Sequence, residues 1–468
     1  MAKFVRFSTL DQSLSPIYVS VFFCFAFPDS SKKSAALSCL GASLQRVFAE
    51  QPHLSGTVSI TRKRIEYDTT IPVDVVASGH LVAKVVDHVT YDQLAARRFP
   101  SDLLPRDMFA PKPHSVGSDD PCMQVLLLQA NFIPGGLVLS VTYQHNAMDG
   151  SSAADVCRKL AAYTRAFSSG LLGTYQPSDP QPDLVPPAVL CASSSSDTAP
   201  TIDAPEYDFN NTPIDLGAAT ATARVLRFPA EAVRQLKRRV TEQLARRPGG
   251  APWVSTVDCL SALLWVGVLR SRAARLAADD IVRFSTAVDV RTRLGPELLP
   301  PTAFVGYGVL LAMAQLPLSS FPDHLPHSHL PLPLSVANVA HAARAIRHAV
   351  AAVDADYVRA RVTLIAALPD PSAAAMAALR AVDIARTGLF LTSWATFAAD
   401  AVFDIPGLQP GGPRRADAVC RPSGAAVGAA NLLPRVRDTE DDADWEALLH
   451  LSRDDMERFI DEDLLLLP

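Results

Sequence analysis

Apolar residues in this chain recur at two spacings, and the change from one to the other marks its elements. Residues 17–27 are apolar except for Ser20. That run is too short to span a bilayer, and it lacks both a simple basic leader before it and a small-residue cleavage site after it. It therefore predicts a buried strand. Leu37, Leu40, Leu44 and Val47 fall on one helical face and predict an amphipathic helix over 34–50. Residues 123–130 and 137–143 are rich in strand formers and are joined by Pro134-Gly135-Gly136, the signature of a hairpin. Helical spacing returns over 151–167 and again over 255–274, where Ser255 or Thr256 is placed to cap the helix and Asp258 stands in its first turn. Short strands are expected at 224–228, 284–288 and 389–393, with a largely helical stretch over 336–368.

Two composition shifts interrupt this alternation. Pro, Ser, Asp and Thr crowd residues 176–215, which read as an interdomain crossover unable to form a core, and Pro and His crowd residues 316–334, which read as a surface loop. With 468 residues the chain exceeds one compact core. The expected division is an N-terminal domain over 1–180, a crossover linker over 181–215 and a C-terminal domain over 216–468. The class is α/β with mixed sheets.

Composition narrows the function. Hydrophobic residues make up 49%, charged residues 19%, and the formal net charge is −5, which describes a folded soluble protein. No basic stripe interleaved with aromatics offers a nucleic-acid footprint, and the Arg-rich stretch 234–239 reads as a solvated helix face. Seven cysteines at 24, 39, 122, 157, 191, 259 and 420 show no C-x-x-C spacing, so a reducing, cytoplasmic setting is expected without a disulfide framework or structural zinc. His324, His327 and His329 sit in a proline-rich loop and read as exposed histidines; no metal is expected.

The candidate chemistry lies at His145-Asn146-Ala147-Met148-Asp149-Gly150. A histidine at the end of a buried strand can take a proton from a hydroxyl or amine near neutral pH. Asp149 or Ser151 is placed to cap the following helix. From these six residues alone, a catalytic base and a hydrogen-bonded core histidine remain equally open.

The stretch 124–150 resembles the BAHD acyltransferases, and more closely their fungal trichothecene 3-O-acetyltransferase-like branch. So do Ser8-Thr9-Leu10-Asp11-Gln12, Gln51-Pro52-His53-Leu54-Ser55-Gly56, Ser255-Thr256-Val257-Asp258-Cys259-Leu260, Asp289-Val290-Arg291-Thr292-Arg293, Thr392-Ser393-Trp394 and Leu433-Pro434-Arg435, in the family's order. The resemblance implies two chloramphenicol-acetyltransferase-like domains with a channel between them. His145 is then the general base, and the acceptor attacks the thioester directly without an acyl-enzyme. It also implies an Asp149–Arg291 ion pair, preferred over Arg293, that supports the base, with Gly150 and Asp404 structural. Thr392 and Trp394 would line the reaction centre, and Ser255 and Thr256 would face CoA. No cofactor is bound permanently; acyl-CoA, with acetyl-CoA the implied donor, is a co-substrate. The partner is a small alcohol or amine, the protein is a monomer, and neither nucleic acid nor membrane is engaged.

The chain departs from the family at Asp404-Ile405-Pro406-Gly407-Leu408, where an Asp-Phe-Gly-Trp-Gly signature is expected, and at Phe304-Val305-Gly306-Tyr307, where Tyr307 is placed to narrow the channel. These departures keep two alternatives open: a condensation-type transferase fed by a carrier protein, and a catalytically silent binding homologue. Gln144 before His145 argues against the first. Intact His145, Asp149 and Arg291 argue against the second.

Overall fold

A computed structural model describes residues 2–69, 73–115, 117, 123–174, 188–191, 203–210, 213, 221–246, 253–294, 305–324, 332–408, 413–422, 426–435 and 443–460. Cys122, His327, His329, Phe304 and most of the 181–215 crossover lie outside them.

The apolar run near the start forms β1 (Tyr18–Ala26), buried along nearly its whole length. The same sheet holds β2 (Leu81–Val85), β3 (Leu126–Ile133) and β4 (Gly136–Gln144), the last pairing with β1 directly. β3 and β4 pair antiparallel from Ile133↔Gly136 to Leu126↔Tyr143, and Gly135 turns the hairpin at φ 76°, which glycine adopts without penalty. The strand at 123–130 thus begins three residues later than its composition suggests. Met123 to Val125 are engaged elsewhere: Val58 N–H donates to Met123 O and Val125 N–H to Gly56 O. Helices α1 (Lys33–Glu50) and α2 (Gly150–Ser168) pack on this sheet and on each other.

The second sheet contains β5 (Ala221–Phe228), β6 (Ile281–Asp289), β7 (Val309–Pro317) and β8 (Gly388–Ser393). With β10 (Ala429–Leu432) and β11 (Trp445–Ser452) it runs in the order β7-β6-β8-β10-β11-β5, mixing parallel and antiparallel pairs. Between β8 and β10 the chain crosses over and lays β9 (Ala418–Cys420) against β1, giving the first sheet the order β9-β1-β4-β3-β2. Phe397, Phe403 and Ile405 enter the first core with it. A stretch of the C-terminal half thus completes the N-terminal sheet.

α3 (Ala230–Ala245), α4 (Thr256–Ser271), α5 (Val336–Ala351) and α6 (Ala355–Ala366) clothe the second half. α4 is apolar on every side and buried along nearly its whole length, as a central helix must be. The stretch 336–368 breaks into α5 and α6 because Asp354 accepts from Tyr357 N–H and starts a new helix. The crossover also contributes to the interior. Leu190 is fully buried beside Leu10 and Val290, and Glu206 is paired with Arg361 and accepts from the Tyr357 hydroxyl at 2.8 Å. Among the described residues no helix is long and apolar enough to cross a membrane.

Candidate active site

His145 follows β4 directly, and its backbone N–H donates to Ile17 O at 2.9 Å, tying the end of β4 to the chain entering β1. Its Nδ1 lies 2.9 Å from the Met148 carbonyl. A carbonyl only accepts, so Nδ1 carries the proton and Nε2 presents its lone pair. The loop itself sets the tautomer of the imidazole. Burial, the largest influence, and the charge of Arg421 lower the imidazole pKa; the Met148 bond and Asp149 raise it. The net position is below the ordinary value, so the ring is neutral at pH 7. The rings of Tyr143 and Tyr307 meet it edge-on, with centroids at 6.0 and 5.4 Å.

Asp149 directs its carboxylate to other partners. One oxygen accepts from Ser152 N–H at 2.9 Å and caps α2. The other accepts from Arg291 Nη1 at 2.7 Å and from Gly308 N–H at 2.8 Å. Burial would raise its pKa, but the Arg291 guanidinium and the N–H donors outweigh burial and hold it below the carboxylate range. Arg291 in turn donates to Asp289 at 3.1 Å, to Ser152 Oγ at 3.0 Å and to Gly306 O at 3.1 Å. The guanidinium lies so close to Gly308 that a Cβ there would stand 2.7 Å from Nη1. Asp11 extends the network. Its carboxylate accepts from Tyr307 N–H at 2.7 Å, its carbonyl accepts from Asn146 Nδ2 at 2.8 Å, and burial pushes its pKa up to about 7. The His145 loop is thus fastened both to the N-terminal segment at Asp11 and to the residues around Arg291 and Gly308.

The other expected residues fall in several places. Trp394 packs against the core that holds Tyr143 and Met148, stacking on Phe397 with centroids at 5.1 Å. Thr392 accepts a hydrogen bond from Asn431. Ser255 is the N-cap of α4: its Oγ accepts from Asp258 N–H at 3.0 Å while Asp258 accepts from Ser255 N–H at 2.6 Å, and Thr256 is the first helical residue. No hydrogen bond joins either to the His145 loop. Asp404 anchors by its backbone, its N–H donating to Thr164 Oγ1 and its carbonyl accepting from Ser168 Oγ. Gly150 differs from expectation. A Cβ there would meet nothing within 4 Å and its φ is unexceptional, so no steric need makes it a structural glycine.

Sequence reasoning missed Gly308, Asp11, Tyr143 and Arg421. Tyr143 had a signal, because it stands two residues before His145 on a strand and shares its face. Arg421 had none, because it reaches the site only through the β9 crossover.

Residues 17–163 match the family described as the trichothecene 3-O-acetyltransferase-like N-terminal domain. The chain is 25% identical to O-acetyltransferase pboB of Aspergillus ustus, across 97% of this chain and 94% of that one. It is 26% identical to enoyl-CoA isomerase/hydratase claC of Penicillium crustosum across 68% of this chain, and spans only 36% of that relative's length. Its fold matches F. graminearum TRI101 complexed with coenzyme A and T-2 mycotoxin at a TM-score of 0.73, with 23% identity and 98% of each chain covered. The family match over the His145 hairpin and the end-to-end relative liken this chain to the fungal trichothecene 3-O-acetyltransferase-like acyltransferases, and its two-sheet fold is the one seen in F. graminearum TRI101.

Proposed function

We propose that this protein is an acyl-CoA-dependent O-acyltransferase that moves an acyl group, acetyl by analogy with its relatives, to a hydroxyl of a small secondary metabolite. One observation carries the reading: Nδ1 of His145 is held by the Met148 carbonyl, which leaves Nε2 a neutral acceptor. Nε2 removes the proton from the acceptor hydroxyl as its oxygen attacks the thioester carbonyl. The tetrahedral oxyanion collapses, the C–S bond breaks, and the leaving thiolate takes the proton back from the imidazolium. Positioned base catalysis of this kind is worth roughly 10²–10⁴-fold.

In this reading the Trp394 indole and the Thr392 hydroxyl serve the oxyanion, and Asp404 keeps the segment after β8 against α2. Ser255 and Thr256 contact CoA at the start of α4. A cytoplasmic monomer completes the proposal; the free cysteines, all but Cys191 buried among the described residues, support a reducing compartment. The test is release of CoA thiol from acetyl-CoA with a panel of terpenoid and polyketide alcohols. Acceptor-dependent release that falls by about 10²-fold or more in His145→Ala is expected. Release indifferent to that substitution would overturn the role of His145.

A further inference from the structure

The reaction above uses His145 and its support, and leaves one cation beside the site without a task. Arg421 follows β9 directly, with Cys420 opposite Phe22 of β1, and Val19 of β1 opposite Tyr143 of β4. With strands about 4.8 Å apart, β9 and β4 lie roughly 10 Å from each other, and an extended arginine crosses most of that gap. Its guanidinium carbon stands 5.2 Å from the centroid of the Trp394 ring. Its charge is felt by both His145 and Tyr143. It also lines a cleft of about 400 Å³ between the two halves, whose other walls include Arg98, Arg227 and Arg435.

Among the described residues, the surroundings of this guanidinium hold no anion free to pair with it. Among the described residues it makes no ion pair and donates to no acceptor. The acids of the cleft are taken: Asp444 pairs with Arg227 at 2.6 Å and Asp417 with Arg414 at 2.9 Å, while Glu446 faces Arg227 and burial raises its pKa. The other groups that feel its charge are basic or neutral. Burial, with Arg421 adding to it, lowers the pKa of His114 and of His450 to about 4. Beside it, the Tyr143 hydroxyl is fully buried and, among the described residues, has no hydrogen-bond partner. An uncompensated guanidinium and an unsatisfied phenol together form a donor set suited to an oxyanion, one offering a fork of N–H groups and the other an O–H. The phosphates of CoA sit at the far end of the pantetheine arm when the thioester lies beside His145, so they do not supply that anion.

We propose that Arg421 and Tyr143 bind a carboxylate carried by one of the two substrates, so that the enzyme selects either a hydroxy-acid acceptor or a dicarboxylic acyl group. This rests on the acyltransferase reading for its substrates, but the binding site is defined independently of turnover.

The test has two arms and one binding measurement. In the first arm, kcat/KM is compared for ω-hydroxy acids of graded chain length and their methyl esters, with acetyl-CoA as donor. In the second, malonyl-CoA is compared with acetyl-CoA against a neutral alcohol. In one arm the carboxylate form is preferred by roughly 10- to 100-fold, and the arm identifies its source. That preference collapses in Arg421→Gln and partly returns in Arg421→Lys. A preference for the neutral form in both arms, or one that survives Arg421→Gln, overturns the proposal. Separately, each hydroxy acid is titrated without acyl-CoA while tryptophan fluorescence is followed, since Trp394 lies against Arg421. A saturable change that is lost in both Trp394→Phe and Arg421→Gln supports the site. No saturable change with any hydroxy acid, together with no Arg421-dependent preference for malonyl-CoA, overturns it even if acyl transfer is found, whereas binding without turnover keeps the site and removes the acyltransferase reading.

Discussion

Arg291 and Arg421 belong to the same interdomain region, yet their surroundings differ in kind. Arg291 is buried and donates to Asp149, Asp289, Ser152 and Gly306, and the carboxylate it holds is itself fully coordinated. Arg421 has an indole face and neighbours that are all basic or neutral, His145, Tyr143, His114 and His450 among them, but no acceptor among the described residues. A charge coordinated on every side fixes geometry, and removing one member strands the others. A charge coordinated on none is tolerated at some cost in stability, which makes it a candidate for a group that arrives from outside. The contrast separates a charge that holds the His145 loop in place from one left open to a ligand.

Substitutions test that separation in order of expected size. His145→Ala should cost about 10²–10⁴-fold in acceptor-dependent thiol release, while the melting temperature changes little. Asp149→Ala should remove activity and destabilise the fold by roughly 3–5 kcal/mol, because Arg291 is left buried and uncompensated. Urea unfolding checks this, and Asp149→Ala combined with Arg291→Met should recover part of the loss. Gly308→Ala should cost about 1–3 kcal/mol as the new methyl displaces the Arg291 guanidinium, with activity falling alongside. A Gly308→Ala protein as stable and active as wild type would mean that the network tolerates rearrangement.

Two smaller effects sharpen the comparison. In the proposed reaction His145 acts as the neutral imidazole, and burial lowers its pKa. The acid limb of kcat/KM should therefore lie below the free imidazole value of 6.5, and activity should be lost as pH falls through that lowered value. Stability should follow the same sense for His53, His114 and His450, whose folded pKa values lie near 4. Between about 4 and 6.5 the unfolded chain binds more protons, so stability present above 6.5 is lost on acidification through this window. Asp11, raised to about 7, works in the opposite direction between 3.8 and 7. Last, Arg421→Gln should leave the melting temperature unchanged or raised, since no partner is stranded. A clear drop would place Arg421 with Arg291 as a structural cation.

Much of this was legible in the residues, for local reasons. The alternation across 126–144 reports a strand pair, and Asp149 before a helical run reports its own cap. Asp354 carries the same signal, which was overridden by the apolar spacing of 336–368 on either side of it. Arg291 follows from the family's ion pair, which the geometry then fills. What stayed hidden depends on distance along the chain. The need for glycine at 308 arises from a guanidinium that packs on it from Arg291, at a separation that no sequence period records. Arg421 is brought beside Tyr143 by strand pairing between segments almost 400 residues apart, and no periodicity records that.

The β9 crossover also sets a condition on how the molecule is made. β1 is among the most apolar strands of the chain, and it remains an open sheet edge until residues 418–420 arrive to pair with it. An emerging polypeptide therefore carries a sticky, unpaired edge through most of its synthesis, a template for association with other chains. The pairing that closes it joins the most distant parts of the sequence and is expected to form slowly. The same step completes the wall that carries Arg421, so protection from aggregation and completion of the cleft come from one late event.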